Sequence, residues 1–165
     1  MNPDDLRRTF GIVVSLWVAA VLQSGASAHM AIFGARPDFL LLLGLVWPLV
    51  LRPSSGCIVG FFSGVLHGWV TGVSLTVNAI ARCIAGYVSG MAPRSGFDVD
   101  SRSAAVVAFT GTLVIQAAVF FAAPPSDRLG FLKATIGMAL YNGVLAFPVF
   151  WVVRRLSGPR DDLIL

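Results

Sequence analysis

Glutamate is absent from this chain, and its eight acids are all aspartates: Asp4, Asp5, Asp38, Asp98, Asp100, Asp127, Asp161 and Asp162. All eight fall in the tails, in loops or at a helix edge, so no acid is expected at membrane depth. An intramembrane enzyme or proton-coupled carrier needs acids, histidines or a nucleophile–base pair facing a cavity. The expectation is therefore a non-enzyme with no catalytic residue, no metal and no cofactor. Charge is sparse as well, 12% of residues against 56% hydrophobic, and the mean hydropathy of +0.82 excludes an ordinary soluble domain. The two cysteines, Cys57 and Cys83, lie in apolar runs with no CxxC and no Cys/His metal spacing. No disulfide framework is expected from them, and both read as packing residues. The net charge of +4 comes from basic residues dispersed between apolar runs. That pattern reads as membrane topology, not nucleic-acid affinity.

Glycine, in contrast, is plentiful and ordered. Gly56, Gly60, Gly64, Gly68 and Gly72 recur at a strict four-residue step through an uncharged apolar stretch. In water each would cost about 1 kcal/mol against alanine in a helix interior. In lipid, small residues let two helix backbones approach closely and gain packing that lipid tails cannot supply. A four-residue step advances about 40° beyond a full turn. Three consecutive glycines can face one partner, and five must serve two neighbours or one that wraps. Gly64→Leu should therefore cost more stability than the same change at Gly72, which ends the helix.

Six apolar segments follow along the chain, at about 9–28, 39–51, 56–70, 75–91, 104–123 and 129–153. The fold class this predicts is all-α: a polytopic six-transmembrane-helix bundle forming one domain over residues 1–165. Crossing a bilayer core takes about 20 residues, so the second, third and fourth segments are short. They either thin the bilayer locally or bury their ends in protein. Arg7, Arg8, Arg52, Arg94, Arg102, Arg154, Arg155 and Arg160 would share one side, against Arg36, Arg128 and Lys133 on the other. This asymmetry places both termini in the cytoplasm and the protein in the bacterial cytoplasmic membrane. Ala26-Ser27-Ala28 after the first apolar run resembles a signal-peptidase site. The length of that run, with Trp17 and Gln23 inside it, fits a retained helix better.

Polar residues within the segments are few: Gln23, His67, Asn78, Arg82, Gln116 and Asn142. Gln23, Gln116 and Asn142 read as helix-to-helix hydrogen bonds, each worth about 0.6 kcal/mol. His67 reads as an interhelical or interfacial group, since a proton relay needs a partner acid. Trp17, Trp47, Trp69 and Trp151 read as an interfacial belt. Arg82 is the exception, midway along the fourth segment, where its insertion costs about 2.5–3.5 kcal/mol. Asn78, four residues earlier, shares its face. Either the two point into the bundle and organise a polar site, or Arg82 snorkels. With no acid expected at that depth, only neutral acceptors such as Asn78, His67 or freed carbonyls would be open to it. Arg82→Leu should then leave folding largely intact.

Arg36-Pro37-Asp38-Phe39 with its leucine run, followed by Gly60 to Gly90, resembles the MreD family of rod-shape-determining membrane proteins. The matching positions are Pro37, Asp38, Gly60, Gly64, Thr71, Gly72, Leu75, Thr76 and Ala79, with Tyr87 later. Many members carry an acid near the end of the third helix, where this chain has Gly68 beside His67. The resemblance implies a non-enzymatic scaffold subunit of the bacterial elongation machinery. Its implied partners are MreC and, indirectly, MreB, RodA and the transpeptidase that accompanies RodA, besides membrane lipid. It also implies a fold similar to the substrate-binding subunits of energy-coupling-factor vitamin transporters, and such a subunit is the alternative reading. In that alternative Arg82 and Asn78 would meet an anionic or polar ligand. Against it, only Ala20, Ser24 and Ala28 offer the small-residue docking face expected on the first helix.

Overall fold

The computed structural model describes residues 3–27, 29–31, 35–96 and 98–158 of the chain. Ala28 of the candidate cleavage site, Gly34 and Arg160 lie outside them. Six α-helices follow one another: α1 (Pro3–Gly25), α2 (Phe39–Val46), α3 (Pro53–Thr71), α4 (Leu75–Met91), α5 (Ser101–Ala122) and α6 (Arg128–Ser157). Short 3-10 turns, Trp47–Val50 and Ala92–Ser95, extend α2 and α4. The all-α architecture and the six segments agree with the sequence reading. By length and composition, α5 and α6 are apolar enough to cross a bilayer.

Aspartates set three of the helix starts. Asp38, Asp100 and Asp127 each accept a hydrogen bond from the backbone N–H three residues on, at Leu41, Ser103 and Gly130. Each thereby satisfies one of the orphan donors of a helix N-terminus. Asp100 is exposed, and the Ser103 N–H, with the Ser103 hydroxyl, holds its carboxyl below the usual carboxylate range.

Helix α2 occupies the centre. From Leu40 to Leu51 every residue is buried, and α2 packs against α1, α3, α4, α5 and α6. Its leucine-rich sequence has no polar face, which is the pattern of a helix surrounded on all sides. Its apolar run, Phe39–Val50, is about 18 Å long at 1.5 Å per residue. Of the two explanations for short segments, this one buries its ends in protein. Trp47 belongs to this core and not to an interfacial belt: it is fully buried and its Nε1 donates to Ser15 Oγ at 2.9 Å. Trp17, Trp69 and Trp151 are exposed.

The glycine ladder closes α3 onto α4. A Cβ at Gly56 would stand 2.5 Å from the Gly86 carbonyl oxygen, and one at Gly64 2.5 Å from that of Asn78. At Gly68 it would stand 2.7 Å from Leu75 Cα, and at Gly60 it would overlap the Arg82 carbonyl. Four ladder glycines thus serve one partner, where three were the expected limit for a single straight face. The helices stay in register because α4 answers with its own small residues, Ala79, Gly86 and Gly90. Gly72 is different: it meets nothing and ends α3 at φ 70°. There its role is the left-handed cap that L side chains resist.

The same closeness corrects the reading of the cysteines. Cys57 and Cys83 face each other across the α3–α4 seam as a disulfide with Cα atoms 4.3 Å apart. Their 26-residue separation carries no recognisable signature. The pairing follows from the backbone approach that Gly56, Gly60 and Gly86 permit.

Candidate functional site

Asp38 does not lie at a solvent-exposed helix edge. As the N-cap of the short central helix it begins α2 inside the bundle, where it is only 1% exposed. Arg82, 2% exposed, reaches it from the middle of α4. Arg82 Nη2 lies 2.7 Å from Asp38 Oδ2, and Nη1 lies 3.5 Å from Oδ1, a two-pronged charge-assisted contact. An acid therefore does lie at the depth of Arg82. The expectation of neutral acceptors only is corrected: the Arg82 guanidinium points to the start of α2. The reason is geometric, because an end of a short buried helix is an edge in sequence and an interior point in space.

The surrounding helices complete the centre at their own midpoints. Ser63 of α3 donates to the Leu40 carbonyl at 2.9 Å and stands 3.5 Å from Arg82 Nη1. Asn142 of α6 accepts from the Asp38 backbone N–H at 3.2 Å and donates to Thr112 Oγ1 of α5 at 3.1 Å. His67 Nδ1 approaches Asp38 Oδ2 to 3.3 Å without the alignment of a hydrogen bond. His67 thus has the partner acid that the sequence reading did not provide for it. Arg82 Nε is buried and unpartnered. Asp38, Ser63, Arg82, Thr112 and Asn142 are all buried, so five helices contribute to one polar layer.

Among the other residues singled out, Pro37 is buried beside Asp38. Asn78 is buried but turns back along its own helix to donate to the Ser74 carbonyl at 2.9 Å. It shares a helix face with Arg82 and has no described hydrogen bond to it. Gln23 accepts from Phe39 N–H at 2.9 Å, and Gln116 contacts Met138 Sδ at 3.1 Å. Together with Asn142, they link separate elements as expected. Ser63 and Thr112 were missed. The available signal was their hydroxyls inside apolar runs, which turn inward to find hydrogen-bond partners.

Chemically, the centre holds a matched charge pair. Removing one partner would leave the other charge buried and uncompensated, at about 3–5 kcal/mol. The arrangement therefore ties α2 to α4 and, through Ser63 and Asn142, to α3 and α6. No family model matches the chain, and no solved structure matches it.

Proposed function

We propose that this chain is a six-span, non-enzymatic scaffold subunit of the bacterial elongation complex. In this reading it partners MreC and supports lateral peptidoglycan synthesis and cell shape. The observation that carries the membrane part is an inverted distribution of polarity. Asp38, Arg82, Asn142 and Thr112 are buried at the centre, whereas Phe10, Phe62, Ile84, Phe121, Leu140 and Trp151 point outward. Water would penalise that outer surface, and lipid would not.

The scaffold part is supported by what the family-like residues do together. Pro37 and Asp38 start the central helix, and Gly60 and Gly64 seat α4 on α3, while Arg82, outside the matching positions, joins α4 to Asp38. Residues at the core of the resemblance are thus spent on holding the bundle in one shape. A rigid bundle with apolar flanks suits lateral docking of single-span proteins. The unpartnered Arg82 Nε and the misaligned His67 favour a second reading, a small polar ligand at the centre of a transporter subunit.

Depletion of the protein distinguishes the two. Rounded or widened cells, with MreC co-purifying in detergent without added ligand, are expected. Normal cell shape with a nutrient-uptake defect would replace the scaffold reading with the transporter one. Topology is checked separately: reporters at Ser101 and the C-terminus should read cytoplasmic and one at Ser126 external. An external C-terminus would sink the six-span arrangement.

A further inference from the structure

The seam between α1 and α6 stays open. A groove of about 440 Å³ runs along it, walled by Phe10, Val14 and Val18 of α1 and by Val149 and Val152 of α6, with Leu42 of α2 at its floor. The α1 wall continues to Leu22. Twelve helical steps from Phe10 make it about 18 Å long. Half of a bilayer's hydrocarbon core is about 15 Å. The groove therefore matches one leaflet in length, and a membrane-spanning helix would need roughly twice as much.

One end of the groove is basic. Arg7 and Arg8 continue the groove-facing side of α1 by one further turn, and Arg155 continues the row of Val152 on α6. Arg7 Nη2 donates to the Arg155 carbonyl at 3.2 Å, and Arg8 Nε donates to that of Ser157 at 3.1 Å. These bonds hold both side chains at the C-terminus of α6. The Arg155 guanidinium lies 5.5 Å from the Trp151 ring centre, an arrangement suited to the headgroup level of a membrane. Asp5, in the turn before, is an exposed acid. Among the described side chains of this cluster, three arginines stand against Asp5.

We infer that this seam binds one anionic phospholipid, with an acyl chain along the groove and the phosphate at Arg7, Arg8 and Arg155. The inference rests on the membrane location proposed above. Charge complementarity selects the occupant: a trough apolar but for Ser15, closed at one end by guanidinium groups, fits an amphiphile with a single negative head. A lipid in this position would fill the gap between the first and last helices.

Native mass spectrometry of the detergent-purified protein tests this, with dioleoyl-phosphatidylglycerol and dioleoyl-phosphatidylethanolamine as probes. One phosphatidylglycerol should be retained in preference, and soluble glycerol phosphate should not displace it. The paired change Arg7→Gln and Arg155→Gln should weaken retention about 25-fold, at roughly fivefold for each arginine near the headgroup. Val18→Trp, which fills the trough, should weaken it by about fourfold for every methylene displaced. Val114→Trp, exposed on α5, should change nothing.

Equal retention of both lipids, or no response to either groove variant, would overturn the inference. So would loss of MreC, in place of lipid, from Val18→Trp alone, since the trough would then belong to a protein helix. Resistance to alkaline extraction from membranes is measured on the same variants. Its absence in the wild type would defeat the membrane reading itself, independently of any lipid result.

Discussion

Along α3 and α4, glycines stand where the two backbones meet, and at Gly56, Gly60, Gly64 and Gly86 a carbonyl of the facing helix fills the space of the missing side chain. Along α1 and α6, the facing positions hold Phe10, Val14, Val149 and Val152, and the seam stays open. Both pairs draw on the same apolar alphabet. The first reaches backbone contact, because its small residues leave room for the backbone of the facing helix. The second keeps its side chains and leaves a trough. Small residues at a fixed step therefore mark where the bundle closes permanently, and bulky residues mark where something else can enter.

The hardest blow to this contrast should fall on Gly60, whose Cβ would overlap the Arg82 carbonyl. The obstacle is backbone on the helix that carries the charge pair, so it cannot swing aside like a side chain. Even Gly60→Ala should cost about 3 kcal/mol or more, at the top of the range for overpacking. Unfolding by SDS in mixed micelles is the measurement. An alanine variant with wild-type stability would mean that the two helices separate more easily than their contact implies.

The buried pair comes next. Arg82→Leu was expected from sequence to leave folding intact, but the Asp38 contact reverses that expectation. Either Arg82→Leu or Asp38→Leu should cost about 3–5 kcal/mol, because each leaves a charge without its partner. The double variant should recover much of the loss, since replacing a whole buried pair by apolar groups is often neutral. A double-mutant cycle in the same assay decides it. Additive losses would show that the two side chains do not act as a pair.

Asn142 carries a smaller share. It accepts from Asp38 N–H and donates to Thr112, so Asn142→Ala strands one buried donor, while the Thr112 hydroxyl keeps its own bond to the Ala108 carbonyl at 2.6 Å. The expected cost is about 1–3 kcal/mol. Thr112→Val in the Asn142→Ala background should add only the loss of the hydroxyl's bond to the Ala108 carbonyl, about 1 kcal/mol, and a much larger further loss would overturn this division.

How much of this was legible beforehand depended on whether a feature is local. The six segments and the glycine step are readable because each is a pattern within one helix. The sequence places Asp38, Asp100 and Asp127 only in loops or at a helix edge, and all three are N-caps. Depth is not local. Asp100 and Asp127 are exposed while Asp38 is buried, because only α2 is short and surrounded. The partner of Arg82 was hidden for the same reason, 44 residues away on another helix. The Cys57–Cys83 contact was hidden too, since it depends on how closely two ladders of small residues settle.

The smallest expected effect has the opposite sign and tests the open seam. Gly11 lies in the interior of α1 and lines the groove. A Cβ there would meet Leu156 and Trp47 side chains at 3.5 Å, an ordinary van der Waals separation. Nothing at this position requires glycine, and a helix interior disfavours it by about 1 kcal/mol relative to alanine. Gly11→Ala should therefore stabilise the protein by about 0.5–1 kcal/mol, where the same change at Gly60 destroys packing. The methyl enters the edge of the trough without closing it, so any lipid held there should be retained. Measured in one assay, the two alanine substitutions separate a glycine that the fold needs from one that it tolerates. If Gly11→Ala destabilised as strongly as Gly60→Ala, the α1–α6 seam would be as tightly closed as the α3–α4 seam, and the contrast would fail.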